Sequence, residues 1–148
     1  MKLVIIGTGY VGLVAGSCFA EMGNNVICFD TDQVKLDDLS LGILPIYEPG
    51  LGELVDNNVN AGRLIFSSNL RESMQSAEIV FIAVGTPSNE DGSADISNVT
   101  EAARLIGEHI QSPIVIANKS TSPIGSAEKV EQAVKFAIKE REVDIHFD

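Results

Sequence analysis

The most constraining feature of this sequence is a set of three glycines between two short apolar runs. The run Leu-Val-Ile-Ile leads directly into Gly7, and Gly9 and Gly12 follow in G-x-G-x-x-G spacing. A second apolar run, residues 26–29, ends at Asp30. Short apolar runs rich in β-branched residues favour strands that are buried on both faces. A strand, a glycine turn, a helix and a second strand with a terminal acid form the dinucleotide-binding fingerprint.

Each part of this fingerprint has a physical task. Gly7 permits the tight turn after the strand, Gly9 lets the backbone approach a pyrophosphate, and Gly12 lets the helix pack close to the sheet. Gly16, one turn later, extends that close contact. The helix N-terminus directs free N–H groups at the phosphates. Asp30 is placed to accept both hydroxyls of an adenine ribose, and NAD is favoured because a carboxylate repels the 2′-phosphate of NADP. The alternative is a structural glycine turn without a ligand.

The apolar positions of the first helix predict which of its faces is buried. The predicted stripe comprises Val11, Val14, Ala15, Cys18 and Met22. Cys18 in this stripe and Cys28 in the second strand are interpreted as buried, reduced thiols, because they do not form a C-x-x-C motif. No set of residues has metal-ligand spacing, so no metal site is predicted.

Length and charge exclude several other classes of protein. A chain of 148 residues suits one domain with a single substantial core. The net charge of −11 argues against sequence-independent binding to nucleic acid. No apolar run is long enough to cross a bilayer, and glycines interrupt the apolar start where a signal peptide would continue. The sequence therefore predicts a cytoplasmic protein with no nucleic-acid or membrane partner.

Helical and strand patterns alternate through the rest of the chain. Predicted helices cover residues 32–41, 51–59, 70–77, 96–110 and 126–141, and predicted strands cover residues 63–67, 78–84, 113–117 and 143–147. Thr31 or Asp32 is expected to cap the first of these helices and Ser126 the last. The alternation predicts a Rossmann-type doubly wound α/β fold, with a parallel sheet of six strands in the order 3-2-1-4-5-6 and helices on both faces.

In such a sheet a ligand lies beyond the carboxyl ends of the strands, where the strand order reverses. Four strand ends of this sequence are polar or rich in glycine: residues 7–12, residue 30, residues 85–88 and residues 119–121. Thr86 is predicted to contact the cofactor. The alternative is that Thr86 is a turn residue whose side chain bonds only to its own backbone. Ser120 and Thr121 either face the nicotinamide side of the crevice or have a capping role.

Other polar residues have more than one interpretation or no assigned role. Lys35 is expected to interact with the ribose of the cofactor or with Asp30. The alternative is that it lies on the solvated surface. His109 and His146 have no evident acid partner in the sequence and are interpreted as structural. Tyr47 and Glu48 lie in a proline-rich loop that periodicity does not place. A hydride-transfer enzyme also needs a base or nucleophile and a substrate pocket. Nothing in this sequence supplies both, so a catalytic segment is expected to be missing.

Six stretches taken together resemble the UDP-glucose 6-dehydrogenase family, within the UDP-glucose/GDP-mannose dehydrogenases. They are Gly-Thr-Gly-Tyr-Val-Gly-Leu-Val from residue 7, Cys-Phe-Ala-Glu-Met-Gly-Asn from 18, Pro-Ile-Tyr-Glu-Pro-Gly-Leu from 45, Phe-Ile-Ala-Val-Gly-Thr-Pro from 81, Asp-Gly-Ser-Ala-Asp-Ile-Ser from 91 and Lys-Ser-Thr-Ser-Pro-Ile-Gly from 119. The resemblance covers essentially all 148 residues. The second and third stretches are more similar to the UDP-glucose branch than to the GDP-mannose branch.

The resemblance implies oxidation of UDP-glucose to UDP-glucuronate with two NAD in succession, through a cysteine thiohemiacetal and a thioester. The cofactor-binding residues that it implies are Gly7, Gly9, Tyr10, Val11, Gly12, Asp30, Lys35, Thr86 and Thr121. Thr121 is also implied to lie near the reacting centre, in a supporting catalytic role. The whole enzyme is expected to be a homo-oligomer.

The sequence departs from the family in what it lacks. The glutamate of the Asn-Pro-Glu-Phe-Leu-type segment, the lysine, the asparagine and the nucleophilic cysteine of the family, its central helix and its UDP-binding domain have no counterpart here. Cys18 and Cys28 cannot replace the nucleophile, because neither is predicted at the carboxyl end of a strand. Residues 1–148 are therefore interpreted as an NAD-binding domain that binds NAD without turnover. The alternatives are a free-standing regulatory module, another nucleotide-sugar dehydrogenase and, less favoured, an S-adenosylmethionine-dependent methyltransferase.

Overall fold

The computed structural model describes residues 1–148, in which strands and helices alternate along the chain. The strands are β1 (Lys2–Ile6), β2 (Asn25–Phe29), β3 (Leu64–Ser67), β4 (Ile79–Ile82) and β5 (Val115–Asn118). The helices are α1 (Tyr10–Glu21), α2 (Gln33–Ser40), α3 (Leu51–Asn60), α4 (Leu70–Ser73), α5 (Ser97–His109) and α6 (Ser126–Glu140). None of these helices is long and apolar enough to span a membrane.

All strand pairs are parallel, and the sheet has the order β3-β2-β1-β4-β5. The predicted Rossmann-type class and the reversal of order between β1 and β4 are confirmed. The predicted number of six strands is wrong. In place of a strand at residues 143–147, a single parallel bridge joins Phe147 to Ile114, and the Ile116 N–H donates to the Asp148 carbonyl at 2.7 Å. Polar residues alternate through this segment and only Ile145 and Phe147 pack against the core, so little apolar area supports a longer ladder.

The helices cover both faces of the sheet, as the unbroken apolar run of β1 predicts. Leu3 and Ile5 belong to an apolar cluster with residues of α1, α2 and α3. Val4 and Ile6 point to the opposite face and join a larger cluster with residues of α4, α5 and α6. Successive side chains of a strand alternate between faces, and β1 has a core on each side, so all its residues after Lys2 are apolar and buried.

The buried face of α1 differs from the predicted stripe. The buried residues are Gly12, Leu13, Gly16, Ser17 and Ala20. Val11 and Cys18 are exposed, and Met22 is 77% exposed. A Cβ atom on Gly16 would lie 2.5 Å from the Cys28 sulfur, so the helix rests on the sheet through its smallest side chains. The face of α1 predicted from its apolar residues is therefore wrong. The helix packs so close to the sheet that its buried face holds mostly small residues rather than large apolar ones.

The predictions for the two cysteines have opposite outcomes. Cys28 is buried, as predicted, and burial raises the pKa of its thiol to about 12. Cys18 is exposed, so its predicted burial is wrong for the same reason as the stripe. The two are not joined by a disulfide.

Two helix boundaries also differ from prediction. Helix α4 has only four residues, since the chain turns at Ser76 with a φ of +56°. Gly125, with a φ of +88°, is the N-cap of α6 in place of Ser126, whose hydroxyl donates to the Pro123 carbonyl at 2.7 Å. Asp32 caps α2 as expected, because its side chain accepts from the Lys35 N–H at 3.1 Å.

Candidate cofactor site

The carboxyl ends of β1, β2 and β4 border a cleft of about 360 Å³, which we call the strand-end cleft. One wall consists of the turn at Gly7 and Gly9 together with Asp30 and Lys35, and the opposite wall is a face of α5. The residues that α5 contributes are Asn98, Glu101, Ala102 and Leu105. The Asn98 amide donates to the Gly85 carbonyl at 3.0 Å, which ties the first turn of α5 to the segment after β4. The cleft thus lies where the strand order reverses, as predicted.

Three glycines of the turn face different surroundings. A Cβ on Gly7 would lie 2.6 Å from the Ala83 carbonyl oxygen, and one on Gly12 would lie 1.9 Å from the Gly7 carbonyl oxygen. Gly7 also has a φ of +103°, which disfavours any side chain. By contrast, a Cβ on Gly9 would meet no atom of the chain within 4 Å. The fold therefore requires glycine at positions 7 and 12, whereas at Gly9 the absence of a side chain leaves space open to solvent.

Helix α1 begins next to this open space. Its N-cap is Gly9, which supplies no side-chain oxygen, and the first turn of the helix contains no acidic residue. The first backbone hydrogen bond of the helix runs from the Leu13 N–H to the Gly9 carbonyl, so the N–H groups of residues 10–12 have no acceptor within the chain. Unpaired N–H groups and the positive end of the helix dipole together form a site suited to a phosphate group.

Asp30 is held by four hydrogen bonds at the end of β2. Its Oδ2 atom accepts from the Thr8 N–H at 2.9 Å, the Thr8 hydroxyl at 2.6 Å and the Lys35 ammonium at 2.8 Å. Its Oδ1 atom accepts from the Asp32 N–H at 3.1 Å. Burial favours the neutral acid, but hydrogen bonds from Lys35, Thr8 and Asp32 outweigh it and lower the pKa of Asp30 to about 2. The carboxylate is therefore ionised at neutral pH, and its side chain is 12% exposed.

Sequence reasoning assigned no role to Thr8, although it is fully buried between two glycines of the turn. A signal was present in the pattern. Ile6 pairs with Phe29 in the sheet, so the residues that follow the two strands lie side by side. A hydroxyl residue inside the G-x-G turn was therefore within reach of the acid that ends the neighbouring strand.

The residues predicted at the nicotinamide side lie at the same end of the sheet but do not line the cleft. Thr86 is half-buried, and Lys119 and Thr121 are exposed. The Ser120 hydroxyl donates to the Val84 carbonyl at 2.8 Å, and the N–H groups of Lys119 and Ser120 donate to the Ile82 carbonyl. Ser120 therefore joins the end of β5 to the end of β4 and caps no helix.

The loop of residues 44–50 comes close to the start of α1. The Tyr10 hydroxyl donates to the Glu48 carboxylate at 3.0 Å, and this hydrogen bond and the charge of Glu48 raise the pKa of Tyr10. Tyr47 is 91% exposed and contributes nothing to this contact. The structure thus places Glu48 beside the turn, a position that periodicity did not reveal.

The two histidines lie away from the cleft. Burial lowers the pKa of His109 at the end of α5. His146 is exposed, with its Nε2 atom 3.4 Å from a carboxylate oxygen of Asp148, a neighbour that the sequence interpretation did not consider. Neither residue lines the strand-end cleft.

The geometry agrees with comparisons to known proteins. A sequence model of the UDP-glucose/GDP-mannose dehydrogenase family, NAD binding domain, matches residues 1–148. The chain is 49% identical over 140 residues to the UDP-glucose 6-dehydrogenase TuaD of Bacillus subtilis, a match that covers 95% of this chain and 30% of the relative. It is 47% identical over 141 residues to a UDP-glucose 6-dehydrogenase of Pseudomonas aeruginosa, covering 95% and 31%.

Solved structures show the same relationship in three dimensions. A UDP-glucose dehydrogenase from Pyrobaculum islandicum superposes with a TM-score of 0.89 at 36% identity, covering 98% of this chain and 34% of that one. A ternary complex of GDP-mannose dehydrogenase from Pseudomonas aeruginosa gives a TM-score of 0.88 at 30% identity, covering 100% and 35%. The chain therefore spans about a third of the length of these relatives. It belongs to the UDP-glucose/GDP-mannose dehydrogenase family, of which it is the NAD-binding domain.

Proposed function

We propose that this chain binds NAD in the strand-end cleft as the cofactor domain of a UDP-glucose 6-dehydrogenase. The observation that carries the proposal is the ionised Asp30 carboxylate, held at the end of β2 beside the glycine turn. The open space at Gly9 and the free N–H groups of residues 10–12 accommodate a pyrophosphate, and a ribose between them and Asp30 completes the adenosine half of the dinucleotide.

Each part of the cleft has a partner in the cofactor under this proposal. Residues of the turn, including Gly7, Gly12, Tyr10 and Val11, surround the pyrophosphate. Asp30 and Lys35 hold the adenosine ribose. The apolar side chains of Ala102 and Leu105 on α5 form a surface for the adenine ring. Thr86 and Thr121 lie towards the nicotinamide, which supplies the hydride acceptor of the reaction.

The charge of Asp30 supports NAD over NADP. The carboxylate stays ionised because its pKa is about 2, and it therefore repels a 2′-phosphate at neutral pH. The Lys35 ammonium is already committed to Asp30 at 2.8 Å, so it does not offer an unpaired charge to that phosphate.

The whole-protein reaction is part of the same proposal. The relatives with 47–49% identity are UDP-glucose 6-dehydrogenases, whereas the GDP-mannose dehydrogenase is 30% identical. We infer that the full protein oxidises UDP-glucose to UDP-glucuronate with two NAD in the cytoplasm, as a homo-oligomer. The thiohemiacetal step needs a cysteine, and neither Cys18 nor Cys28 lines the cleft, so residues 1–148 alone bind NAD but do not oxidise UDP-glucose.

Titration calorimetry with NAD and NADP tests the cofactor proposal directly. We expect the wild-type chain to bind NAD more tightly than NADP, and Asp30→Ala to weaken NAD binding by about 1.5–3 kcal/mol, the usual range for a hydrogen bond to a charged group. Asp144→Ala, at an exposed position outside the cleft, is the matched control and should leave the affinity unchanged. Equal affinity of Asp30→Ala and wild type for NAD would refute Asp30 as the ribose acceptor.

A second assay tests the absence of turnover. Purified residues 1–148 mixed with UDP-glucose and NAD should give no rise in absorbance at the NADH band. Measurable NADH formation would overturn the interpretation of this chain as a binding domain without a nucleophile.

A further inference from the structure

Thr8 differs from the other residues of the glycine turn because its whole side chain is buried and its hydroxyl points at Asp30. It is 0% exposed, and both of its donors, the N–H and the hydroxyl, bond to the same carboxylate oxygen. The hydroxyl contact, at 2.6 Å, is the shorter of the two. Charge-assisted hydrogen bonds of this length are among the stronger polar contacts in proteins.

The hydrogen bonds divide the two oxygens of Asp30 into different roles. Oδ2 accepts from three donors, two on Thr8 and one on Lys35, so its acceptor capacity is filled from within the protein. Oδ1 accepts only from the Asp32 N–H. A carboxylate oxygen has about two lone-pair sites, so Oδ1 retains capacity for one further donor. Oδ1 is therefore the oxygen of the carboxylate that can accept a hydrogen bond from a ligand.

Backbone hydrogen bonds hold the glycine turn without the Thr8 hydroxyl. The Gly7 N–H donates to the Phe29 carbonyl at 2.8 Å, which already fixes the turn to the end of β2. The Leu13 N–H donates to the Gly9 carbonyl at 2.9 Å and fixes the start of α1. The Thr8 hydroxyl adds a third hydrogen bond to Oδ2, while Oδ1 accepts only from the Asp32 N–H, so the carboxylate is held in one rotation with Oδ1 as the less occupied oxygen.

We propose that Thr8 is a positioning residue for the adenosine ribose, because it locks the Asp30 carboxylate with Oδ1 towards the cleft before the ligand arrives. This inference rests on the proposed function, in which Asp30 accepts from that ribose. A carboxylate that is already oriented loses less conformational freedom on binding, so the ligand binds more tightly. Thr8 also lies inside the phosphate-binding turn, so it sets the ribose acceptor and the phosphate site in one rigid arrangement.

The test compares variants that remove or retain the hydroxyl. Thr8→Val keeps the shape and the N–H but removes the hydroxyl, and we expect it to weaken NAD binding about tenfold. Thr8→Ser retains the hydroxyl and should bind within about threefold of wild type. Thr100→Val removes a threonine hydroxyl that bonds to the Ser97 carbonyl on α5, and as the matched control it should leave NAD affinity unchanged. Thr8→Ala replaces Thr8→Val if the valine variant does not fold.

A change of ligand separates positioning from a general structural effect. The second ligand is NAD without the adenosine 2′-hydroxyl. This ligand has one fewer donor to Asp30, so its affinity should depend less on the orientation of that carboxylate. We expect the tenfold loss in Thr8→Val to shrink to about threefold or less for this ligand. Carbon-13 NMR of the Asp30 carboxyl group should also show its pKa above the wild-type value of about 2, because a hydrogen bond to the ionised form is lost.

The outcomes distinguish this inference from the proposed function. Equal losses for both ligands would mean that Thr8 supports only the turn, and an unchanged NAD affinity in Thr8→Val would also refute positioning. In both cases NAD binding by the wild type would still support the proposed function. Failure of the wild type to bind NAD would instead refute the proposed function itself.

Discussion

The two ends of the candidate site differ in how much of their structure the chain supplies. At the end proposed for the adenosine, which we call the adenosine end, Asp30 is held by four hydrogen bonds, and Thr8 beside it is fully buried. At the end proposed for the nicotinamide, which we call the nicotinamide end, Lys119 and Thr121 are exposed, and the Ser120 hydroxyl bonds to backbone carbonyls. The first end presents polar atoms held by hydrogen bonds, whereas the second presents exposed side chains of Lys119 and Thr121 that make no hydrogen bond within the chain.

This difference follows from how each end is assembled. The adenosine end is formed largely by one continuous segment, β1-α1-β2 with the start of α2, in which strand pairing brings residues 8 and 30 together. The nicotinamide end is formed by segments that leave β4 and β5, and the chain there uses its hydrogen bonds to join the strand ends to each other. Affinity of this domain for NAD is therefore expected to come mainly from the adenosine half.

The largest expected effect comes from Gly12→Ala, because it breaks the turn on which the adenosine end depends. The new Cβ would lie 1.9 Å from the Gly7 carbonyl oxygen, so the backbone of the turn must move. We expect a loss of about 3 kcal/mol or more in the free energy of unfolding, measured by urea denaturation. If Gly12→Ala had the stability of the wild type, the backbone of the turn would be able to move at little cost in free energy, despite the four hydrogen bonds of Asp30.

Gly9→Ala is the matched control within the same turn. A Cβ at this position meets no atom of the chain within 4 Å and the φ of −72° suits alanine, so the free energy of unfolding should stay within about 0.5 kcal/mol of wild type. NAD affinity should nevertheless fall at least about tenfold, because the methyl group occupies the space proposed for the pyrophosphate. Loss of stability without loss of affinity would reverse the proposed roles of the two glycines.

The acid stability of the domain reports on the adenosine end without any ligand. The folded pKa of Asp30, about 2, is below its ordinary value, so its contribution is complete above pH 5 and is lost as the pH falls towards 2. We expect wild type to lose about 2 kcal/mol of unfolding free energy over this range beyond the loss in Asp30→Asn. Denaturant titrations of both proteins from pH 5 to pH 2 measure the difference. Parallel curves would mean that the Asp30 hydrogen bonds are no stronger in the folded chain than in water.

The sequence predicted the adenosine end better than the rest of the molecule because spacing encodes it. The roles of Gly7 and Gly12 as backbone contacts follow from the fingerprint, and the structure gives each a steric reason. The buried face of α1 was wrong, since a helix that lies this close to a sheet buries Ser17 and Ala20 and exposes Met22. The glycine spacing did predict close packing at Gly12 and Gly16, but the predicted apolar stripe ignored that this close approach leaves little room for large side chains on the buried face.

Contacts between distant segments were the other class of feature that the sequence did not reveal. Thr8 and Asp30 are 22 residues apart, and Tyr10 and Glu48 are 38 residues apart. Strand pairing within the fingerprint could have indicated the first contact, whereas the contact between Tyr10 and Glu48 has no periodic or motif signature. The bridge at Phe147 in place of a sixth strand belongs to the same class. The length of a strand depends on hydrogen bonds to the neighbouring strand and on apolar contacts with the core, which lie far away in the sequence.

A smaller effect is expected where the loop of residues 44–50 meets the turn. Glu48→Gln removes the negative charge that raises the pKa of Tyr10, so that pKa should fall towards its usual value. Ultraviolet titration of the phenol in a Tyr47→Phe background measures it, because Tyr10 is then the only tyrosine of the chain. An unchanged titration would show that Glu48 does not stay beside Tyr10 in solution.

The smallest effect is expected for Thr121→Val, at the end of the site that the chain leaves open. The Thr121 side chain is exposed and makes no hydrogen bond within the chain, so its change should leave NAD affinity within about twofold of wild type. ADP-ribose, which lacks the nicotinamide, should likewise bind within about threefold of NAD if the adenosine half supplies the affinity. Calorimetry with both ligands on both proteins gives the four values required. A tenfold preference for NAD over ADP-ribose that is lost in Thr121→Val would show that this domain binds both halves of the cofactor. The contrast between its two ends would then be wrong.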